Sequence, residues 1–444
     1  MVQFKFMALA ATTATAKISV QVHRNLEVAK QSNVVVKFHS DEALSIHRRR
    51  LKGGASRTET IESLVNSLKE HTTTSQASVK SLLANQVEST AVQVATTWID
   101  CPTDLVQKIA SVPEVKSIYE PVVMALSETK SDDKPASSVN DNSKWGSKRS
   151  KHRRCGPKVS RGTALSWPTS TPVFAIPMSW FNPYNKTNQL PSDTDGHGTH
   201  VMASWWERKV LVSLPRPSGL RAKGARVGGA RTVWWCNALN SCFVPTTKTA
   251  GNNCDSSKAP HVINGSFGEH RMDFFLEDTI ASYPAASPQV IAVGSTNSGD
   301  FLALDSSLGP SVRKRGKLDI SAPGVSIHSA VHFSDNGFIR DSGTSMAAPH
   351  VSGAIALYLS ANNGASYDQV YAALTESVDT DTLYPPNKTC GGIPNTKYPN
   401  NHFDLFGYGR LNIFNAVTPP PSTTLPPPSP KGSKSTQVLN PTNA

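Results

Sequence analysis

Hydrophobic positions near the start of the chain predict a strand followed by a helix. Residues 34–38, VVVKF, have a strand-like pattern, and Ser56-x-x-Glu59 is a capping box that predicts a helix start. The apolar residues that follow share one helical face, and they are Ile61, Leu64, Val65 and Leu68. This arrangement indicates a packed unit near the N-terminus.

The alternation of helices and strands continues further along this unit. Leu105 and Ile109 predict a second helix, and residues 115–123 predict a second strand. We therefore expect a compact α+β domain over 17–125. Residues 126–144 are polar and rich in Pro, Ser and Asp, which is typical of a linker that proteases cut easily.

A larger unit is predicted over 145–418. Its short apolar runs at 261–263 and 290–293 are typical of buried parallel strands, and residues 347–359 form an Ala-rich pattern that predicts a helix. The remaining 419–444 are rich in Pro, Ser and Thr and are expected to form a disordered tail.

The first 16 residues favour a secretory signal peptide. They combine one positive charge, a short apolar stretch and the small-residue triplet Ala14-Thr15-Ala16, although an ordinary soluble N-terminus is the alternative. In a secreted protein, Asn185 and Asn387 would be glycosylation acceptors. The six cysteines would be disulfide candidates whose pairing the spacing does not settle: Cys101, Cys155, Cys236, Cys242, Cys254 and Cys390.

The formal net charge of +12 raises the question of nucleic-acid binding. Much of the excess lies in two short ranges, 147–161 and 208–231, with seven basic residues in each. Neither range has the interleaved aromatic residues or the recognisable module of a nucleic-acid binder. No apolar run approaches the about 18 residues of a membrane helix. We therefore expect neither nucleic acid nor membrane as a partner.

Residues 341–350, DSGTSMAAPH, place one serine among small residues at the start of the predicted apolar helix. Backbone N–H groups point outward at a helix start and the helix dipole favours a developing anion there, which suits a nucleophile. The alternative is that Ser345 is an ordinary N-cap residue.

Residues 197–201, HGTHV, supply a histidine that can take a hydroxyl proton. The competing interpretation is a metal site made by His197 and His200. No carboxylate follows with the spacing of a zinc signature, so we expect no metal here.

Together these segments resemble the subtilisin-like serine peptidases. HGTHV matches the family's histidine element, GTSMAAPHVSG its serine element and HVINGSFG the strand that lines its substrate cleft. YPAASPQVIAVGST, DISAPGVSI and FGYGRLNIFNAV match further segments in the family's order, so the resemblance covers most of 185–418. The 17–125 unit resembles the inhibitory propeptide of the same family.

The resemblance implies a role for each matching residue. Ser345 would be the nucleophile and His197 the general base, with Gly343, Thr344 and Gly198 as motif neighbours. Ser266, Phe267 and Gly268 would pair with an extended peptide and border the pocket for its side chain. Asn264, although it begins an Asn-Gly-Ser acceptor sequence, would lie at the cleft and stay unmodified. The family often binds structural calcium, but no ligand loop in this chain can be named.

Two elements of the family's catalytic apparatus are missing from the sequence. The family's third catalytic residue is an aspartate in a hydrophobic-Asp-Thr/Ser-Gly pattern, which orients the histidine. Residues 145–190 lack this pattern, and Asp193 and Asp195 match no role in it. The family also has a Gly-Asn pair after the substrate strand, and the side chain of this asparagine completes the oxyanion hole. In this chain the nearby pair Gly251-Asn252 precedes the substrate strand, so it does not match. We therefore leave both roles unassigned.

A shift in reading frame could account for the missing aspartate. In a shifted frame, the codons of residues 169–174 permit hydrophobic-Asp-Thr-Gly-hydrophobic, and those of 207–217 permit the family's Gly-Val-Gly-Val-Ala-Pro-x-Ala segment. We hypothesise that 161–181 and 204–228 are misread or frameshifted, which would also explain much of the basic charge. The first strand of the larger unit is then expected to be disrupted.

The resemblance implies a doubly wound, mostly parallel α/β sheet behind a small α+β propeptide. It implies a secreted, extracellular serine endopeptidase, monomeric, whose partners are protein or peptide substrates and its own propeptide. The alternative is a catalytically impaired pseudopeptidase, or the frameshifted form of an active enzyme, that only binds peptide or its propeptide.

Overall fold

A computed structural model of the 444-residue chain describes about half of it. The described ranges are 14–39, 57–83, 90–91, 95–120, 123–124, 132–136, 196–205, 230–231, 261–266, 290–306, 318–334, 337–385 and 405–418.

The N-terminal part forms one antiparallel sheet with helices beside it. Its elements in chain order are α1 (Val20–Ala29), β1 (Gln31–Phe38), α2 (Arg57–Ser75), α3 (Ala77–Leu83), β2 (Thr90–Ala91), β3 (Ala95–Pro102), α4 (Thr103–Ala110) and β4 (Val115–Tyr119). The strand order is β2-β3-β1-β4, and every described pair is antiparallel. The predicted strand at 34–38, helix at Leu105 and Ile109, and strand beginning at residue 115 are confirmed.

The core of this part is built from β1, β4 and the apolar faces of α1, α3 and α4. Leu105 and Ile109 are both buried, because α4 turns its apolar stripe toward the sheet. Cys101 lies in the same core as a free thiol, so it is not part of a disulfide in this structure. Burial, and secondarily the charge of Asp104, raises the pKa of the Cys101 thiol to about 12. The other five cysteines lie outside the described residues.

The later part of the chain has smaller sheets and longer helices. Its elements are β5 (Val123–Met124), β6 (Asp132–Ala136), α5 (His197–Trp205), β7 (Ala230–Arg231), β8 (Val293–Thr296), β9 (Ile320–Pro323), β10 (Ile327–Ala330), β11 (Phe338–Asp341), α6 (Thr344–Ala361), α7 (Tyr367–Glu376) and α8 (Ile413–Val417). No helix among the described residues is long and apolar enough to cross a membrane.

The described strands of this later part pair in three groups. β8 and β9 are parallel, β5 and β7 are antiparallel, and β10-β11-β6 is an antiparallel sheet. The parallel pair fits an α/β arrangement, while the doubly wound sheet stays a prediction. β6 lies within the range predicted as a linker. The run at 261–263, predicted as a strand, is not assigned to one, although Val262 is buried.

Helix α6 is central to the second core. Its buried face packs against β9, α7 and α8 through residues such as Ala347, Val351, Leu374 and Leu411. The predicted Ala-rich helix is therefore confirmed, and it begins three residues earlier than expected, at Thr344. This extension places Ser345 in the first helical turn.

Candidate active site

Ser345 is the second residue of α6 and is only 1% exposed. The N-cap residue is Gly343, at φ 153° and ψ 164°, a backbone conformation that only glycine adopts readily. The N-cap alternative for Ser345 is therefore wrong. The Ser345 hydroxyl instead faces the carbonyl of Ser266, to which it donates over 3.5 Å.

The loop before Ser345 is packed tightly against the end of β9. The Gly343 amide donates to the Gly324 carbonyl over 2.8 Å. A Cβ atom on Gly324 would lie 2.2 Å from Ser295 Oγ and 2.6 Å from the Gly343 carbonyl oxygen. Glycine is therefore needed at both positions 324 and 343, where the end of β9 meets the start of α6.

The carbonyl of Ser345 has an unusual hydrogen-bond partner. In a helix it would accept from the amide of residue 349, but Pro349 has no N–H. The Ser266 hydroxyl donates to this carbonyl instead, over 2.8 Å. Ser266 and Ser345 thus make two contacts in opposite directions and hold the 261–266 segment against the helix.

Behind Ser266 lies a buried amide. Asn264 is 3% exposed; its Nδ2 donates to Ser266 Oγ over 2.9 Å, and its Oδ1 accepts from Ser352 Oγ over 2.9 Å. Both ends of the buried amide are engaged, which disfavours glycosylation of Asn264, and its place at a substrate cleft stays a prediction.

His197 is the first residue of α5 and is partly exposed. The preceding Gly196 has φ 82°, and a Cβ atom there would lie 2.4 Å from Nδ1 of His332. One turn into α5, Val201 packs with Ile327 and with Met346, the neighbour of Ser345. The structure therefore brings the first turns of α5 and α6 together.

His200 is buried and fastens α5 to the β10–β11 hairpin. Its Nε2 lies 3.0 Å from the carbonyl oxygen of Ile327 and 3.3 Å from that of Ile339, and since carbonyls only accept, Nε2 carries the proton. Burial lowers the pKa of His200 to about 4, against the opposing effect of the two carbonyl hydrogen bonds.

These contacts engage Nε2 of His200 with two carbonyl oxygens, and the expected absence of a metal at His197 and His200 stays a prediction. In the described ranges no group of three or more His, Cys, Asp or Glu side chains is arranged to hold a metal ion.

The remaining predicted residues divide into two groups. Thr344 opens α6 and Gly198 is buried in the first turn of α5. The others lie outside the described residues: Phe267, Gly268, Asp193, Asp195, Gly251, Asn252, Asn185, Asn387, and the ranges 161–181 and 206–228.

Sequence reasoning missed two parts of this site, Pro349 and Ser352. Pro349 is signalled by its spacing, because a proline four residues after a serine frees that serine's carbonyl. Ser352 has no comparable signal, since its contact with Asn264 joins residues 88 positions apart.

Comparison with known proteins gives a family match over residues 250–409, to the model described as "Subtilase family". This range contains Ser345, Ser266 and Asn264 and begins after His197.

The chain is also similar to individual subtilases. It is 41% identical to Subtilisin DY of Bacillus licheniformis over 213 residues, covering 44% of this chain and 74% of that protein. It is 41% identical to Alkaline serine exoprotease A of Vibrio alginolyticus over 205 residues, 43% of this chain and 36% of the relative. With Bacillopeptidase F of Bacillus subtilis the identity is 28% over 278 residues, 54% of this chain and 18% of the relative.

The chain thus spans less than half of the last two relatives. The match to Subtilisin DY has 41% identity and covers 74% of that protein, and the residues matched by the family model include Ser345. On these grounds the chain belongs to the subtilase family of serine peptidases, whose fold is the α/β fold of subtilisin.

Proposed function

We propose that this protein is a secreted serine endopeptidase in which Ser345 is the nucleophile and His197 the general base. The observation that carries the proposal is the position of Ser345 in the first turn of α6, beside the 261–266 segment and beside the first turn of α5. Family membership supplies the reaction class, and this juxtaposition supplies a nucleophile, a base and a segment for the substrate.

The chemistry follows from this arrangement. Ser345 Oγ bonds to the carbonyl carbon of the peptide as its proton passes to the His197 imidazole. The C–N bond then breaks, and His197 gives the proton to the departing amine, leaving an acyl ester on Ser345. Water attacks the ester, its proton passes through His197 back to Ser345 Oγ, and the acid product leaves.

The helix start provides for the negative charge of the intermediate. The first amides of a helix have no intrahelical carbonyl to donate to, and they carry the positive end of the helix dipole. The N–H of Ser345 is one of these amides and is proposed as an oxyanion donor. The second donor and the third catalytic residue stay unassigned.

The substrate is proposed to be an extended peptide that lies along residues 266–268. We also propose that residues 17–125 act as a propeptide and that the mature protein is monomeric and extracellular. Structural calcium is common in the family, and whether this chain binds it stays open in the proposal, since no ligand loop can be named.

A fluorophosphonate probe tests the proposal directly, because it phosphonylates an activated serine. We expect the purified full chain to be labelled at Ser345, located by mass spectrometry, and Ser345→Ala and His197→Ala to remain unlabelled. Ser360→Ala is a matched control: this hydroxyl donates to the Ala356 carbonyl within α6, away from the site. If the chain that the probe labels also cleaves an unfolded protein substrate at internal peptide bonds, endopeptidase activity is established.

The second candidate is an impaired peptidase that only binds peptide. It is favoured by the missing hydrophobic-Asp-Thr/Ser-Gly pattern in residues 145–190. In that case the chain as written resists the probe, and a chain restored to the shifted frame over 161–181 and 204–228 becomes labelled. Sequencing the transcript across codons 160–182 shows directly whether aspartate is encoded there.

A further inference from the structure

We propose that Asn264 and Ser352 are positioning residues for Ser345, acting through the Ser266 hydroxyl. The inference rests on the proposed function, since it concerns how the proposed nucleophile is held. It starts from the three side-chain hydrogen bonds that connect Ser352, Asn264 and Ser266 to the backbone of Ser345.

Pro349 creates the need for such a device. By removing one amide from the first turns of α6, it leaves the Ser345 carbonyl without its intrahelical partner. Ser345 is 1% exposed, so leaving that carbonyl unsatisfied would cost free energy. The Ser266 hydroxyl donates to the Ser345 carbonyl in place of the missing amide. The position of Ser345 then depends on a residue 79 positions earlier in the chain.

The hydrogen bonds run in one consistent direction. Ser352 Oγ donates to Asn264 Oδ1, Asn264 Nδ2 donates to Ser266 Oγ, and Ser266 Oγ donates to the Ser345 carbonyl. Each hydroxyl uses its single proton once. Directed chains of this kind strengthen each member by polarisation, and they are sensitive to the loss of any member in a buried setting.

The geometry of α6 explains why Ser352 belongs to the chain. Residues seven apart lie on the same helical face, two turns from each other. Ser345 and Ser352 therefore both face the 261–266 segment, which is fastened to the helix at two levels. Asn264 spans the distance between them and fixes the segment against sliding along the helix.

The consequence for the reaction is specific. If the segment shifts, the Ser345 backbone and the proposed substrate-pairing residues shift together, and misplacement by about 1 Å can slow a reaction about a hundredfold. Neither Asn264 nor Ser352 is proposed to touch the substrate, so their loss should reduce the rate of the chemical step and leave probe affinity unchanged.

The test compares Ser352→Thr with Ser352→Val in the full chain. The two side chains have the same shape, and only Thr keeps the hydroxyl that donates to Asn264. We expect the maximal rate of fluorophosphonate labelling to fall about tenfold in Ser352→Val and in Asn264→Ala, and to stay within about twofold of wild type in Ser352→Thr. Probe affinity should be unchanged in all three, and Ser360→Ala should label like wild type.

Equal labelling rates for the Thr and Val variants would overturn the inference. Failure of the wild type to label would overturn the proposed function instead, and hydrogen exchange would then decide the inference separately. Exchange of the amides in 343–347 should be faster in Ser352→Val than in Ser352→Thr, while that of residues 358–361 should be equal in both. Equal exchange at 343–347 would show that the chain of hydrogen bonds does not position Ser345.

Discussion

The guanidinium of Arg410 and the carboxylate of Asp300 form an ion pair in the interior, with Nε and Oδ1 2.8 Å apart. Their side chains are 3% and 0% exposed. Arg410 also donates through Nη2 to Asp379 Oδ2 over 2.9 Å, and the Asp379 Oδ1 accepts from Asn412 over 2.7 Å. This cluster joins the loop after β8 to the segment that leads into α8.

Removing the Asp300 carboxylate should be destabilising, because the buried Arg410 charge then has one carboxylate partner fewer and relies more heavily on Asp379. We expect Asp300→Asn to lower the free energy of unfolding by up to about 3 kcal/mol, since Asp379 still compensates part of the Arg410 charge, measured by chemical denaturation. Asp381→Asn is the matched control, since Asp381 is exposed two residues beyond Asp379, and it should leave stability unchanged. Equal effects of the two substitutions would mean that the buried charge is compensated elsewhere.

A second buried carboxylate depends on neutral donors. Asp319 is 2% exposed and accepts from the Ala292 amide over 2.6 Å and from the Tyr371 hydroxyl over 2.8 Å. We expect Tyr371→Phe to lower the free energy of unfolding by about 2 kcal/mol, because a hydrogen bond to a charged group is lost. Tyr384→Phe, at an exposed tyrosine, should have no measurable effect; a similar loss in both variants would contradict the assignment.

The fold could be predicted from the sequence where local patterns are strong. Helix α6 followed from its run of small and apolar residues, and β1 from its valines. Strand β6 could not be predicted, because Asp132–Ala136 is polar and contains a proline, and it forms by pairing with β11 at the edge of a sheet. Edge strands of this kind depend on the partner more than on their own pattern.

The site could be predicted only as far as short motifs define it. The serine and histidine segments predict Ser345 and His197 as site residues, and the structure brings their helices together. The contacts of Asn264, Ser266 and Ser352 depend on how distant segments meet, which no local pattern encodes. For the same reason the apolar run at 261–263 suggested a strand, whereas each described hydrogen bond between the 261–266 segment and α6 involves a side chain.

The close approach of Gly324 to Gly343 makes a further prediction. Gly324→Ala should displace the loop before Ser345, because its Cβ atom would lie 2.2 Å from Ser295 Oγ and 2.6 Å from the Gly343 carbonyl oxygen. We expect a lower melting temperature together with slower fluorophosphonate labelling of Ser345.

Gly364→Ala is the comparison for that variant. Gly364 has φ 82° and no neighbouring atom within 4 Å of an added Cβ, so its substitution should cost about 1 kcal/mol from backbone strain alone. Its position beyond the end of α6 should leave labelling unaffected. If Gly324→Ala labels like wild type, the loop tolerates displacement and the glycine is not needed for the site.

Two buried histidines should make the stability of the protein depend on pH. His200 and His350 both have a pKa lowered from 6.5 to about 4, chiefly by burial, and carbonyl hydrogen bonds oppose the shift in each case. In His350, Nδ1 lies 2.8 Å from the Met346 carbonyl oxygen. Both side chains therefore stay neutral in the folded protein at pH values where the unfolded chain binds protons.

The sign follows from this difference in protonation. Above pH 6.5 neither state binds a proton at these sites, and between pH 6.5 and about 4 the unfolded chain binds one more proton per histidine, so acid favours unfolding. We expect the free energy of unfolding to fall toward low pH by up to about 1.4 kcal/mol per pH unit for each histidine.

His200→Gln and His350→Asn keep a donor where Nε2 or Nδ1 stood, and each should reduce the slope by one histidine's share, measured by denaturation between pH 4 and 7. His39→Gln, at an exposed position, should keep the wild-type slope; an unchanged slope in the two buried variants would mean that the acid sensitivity arises from other groups.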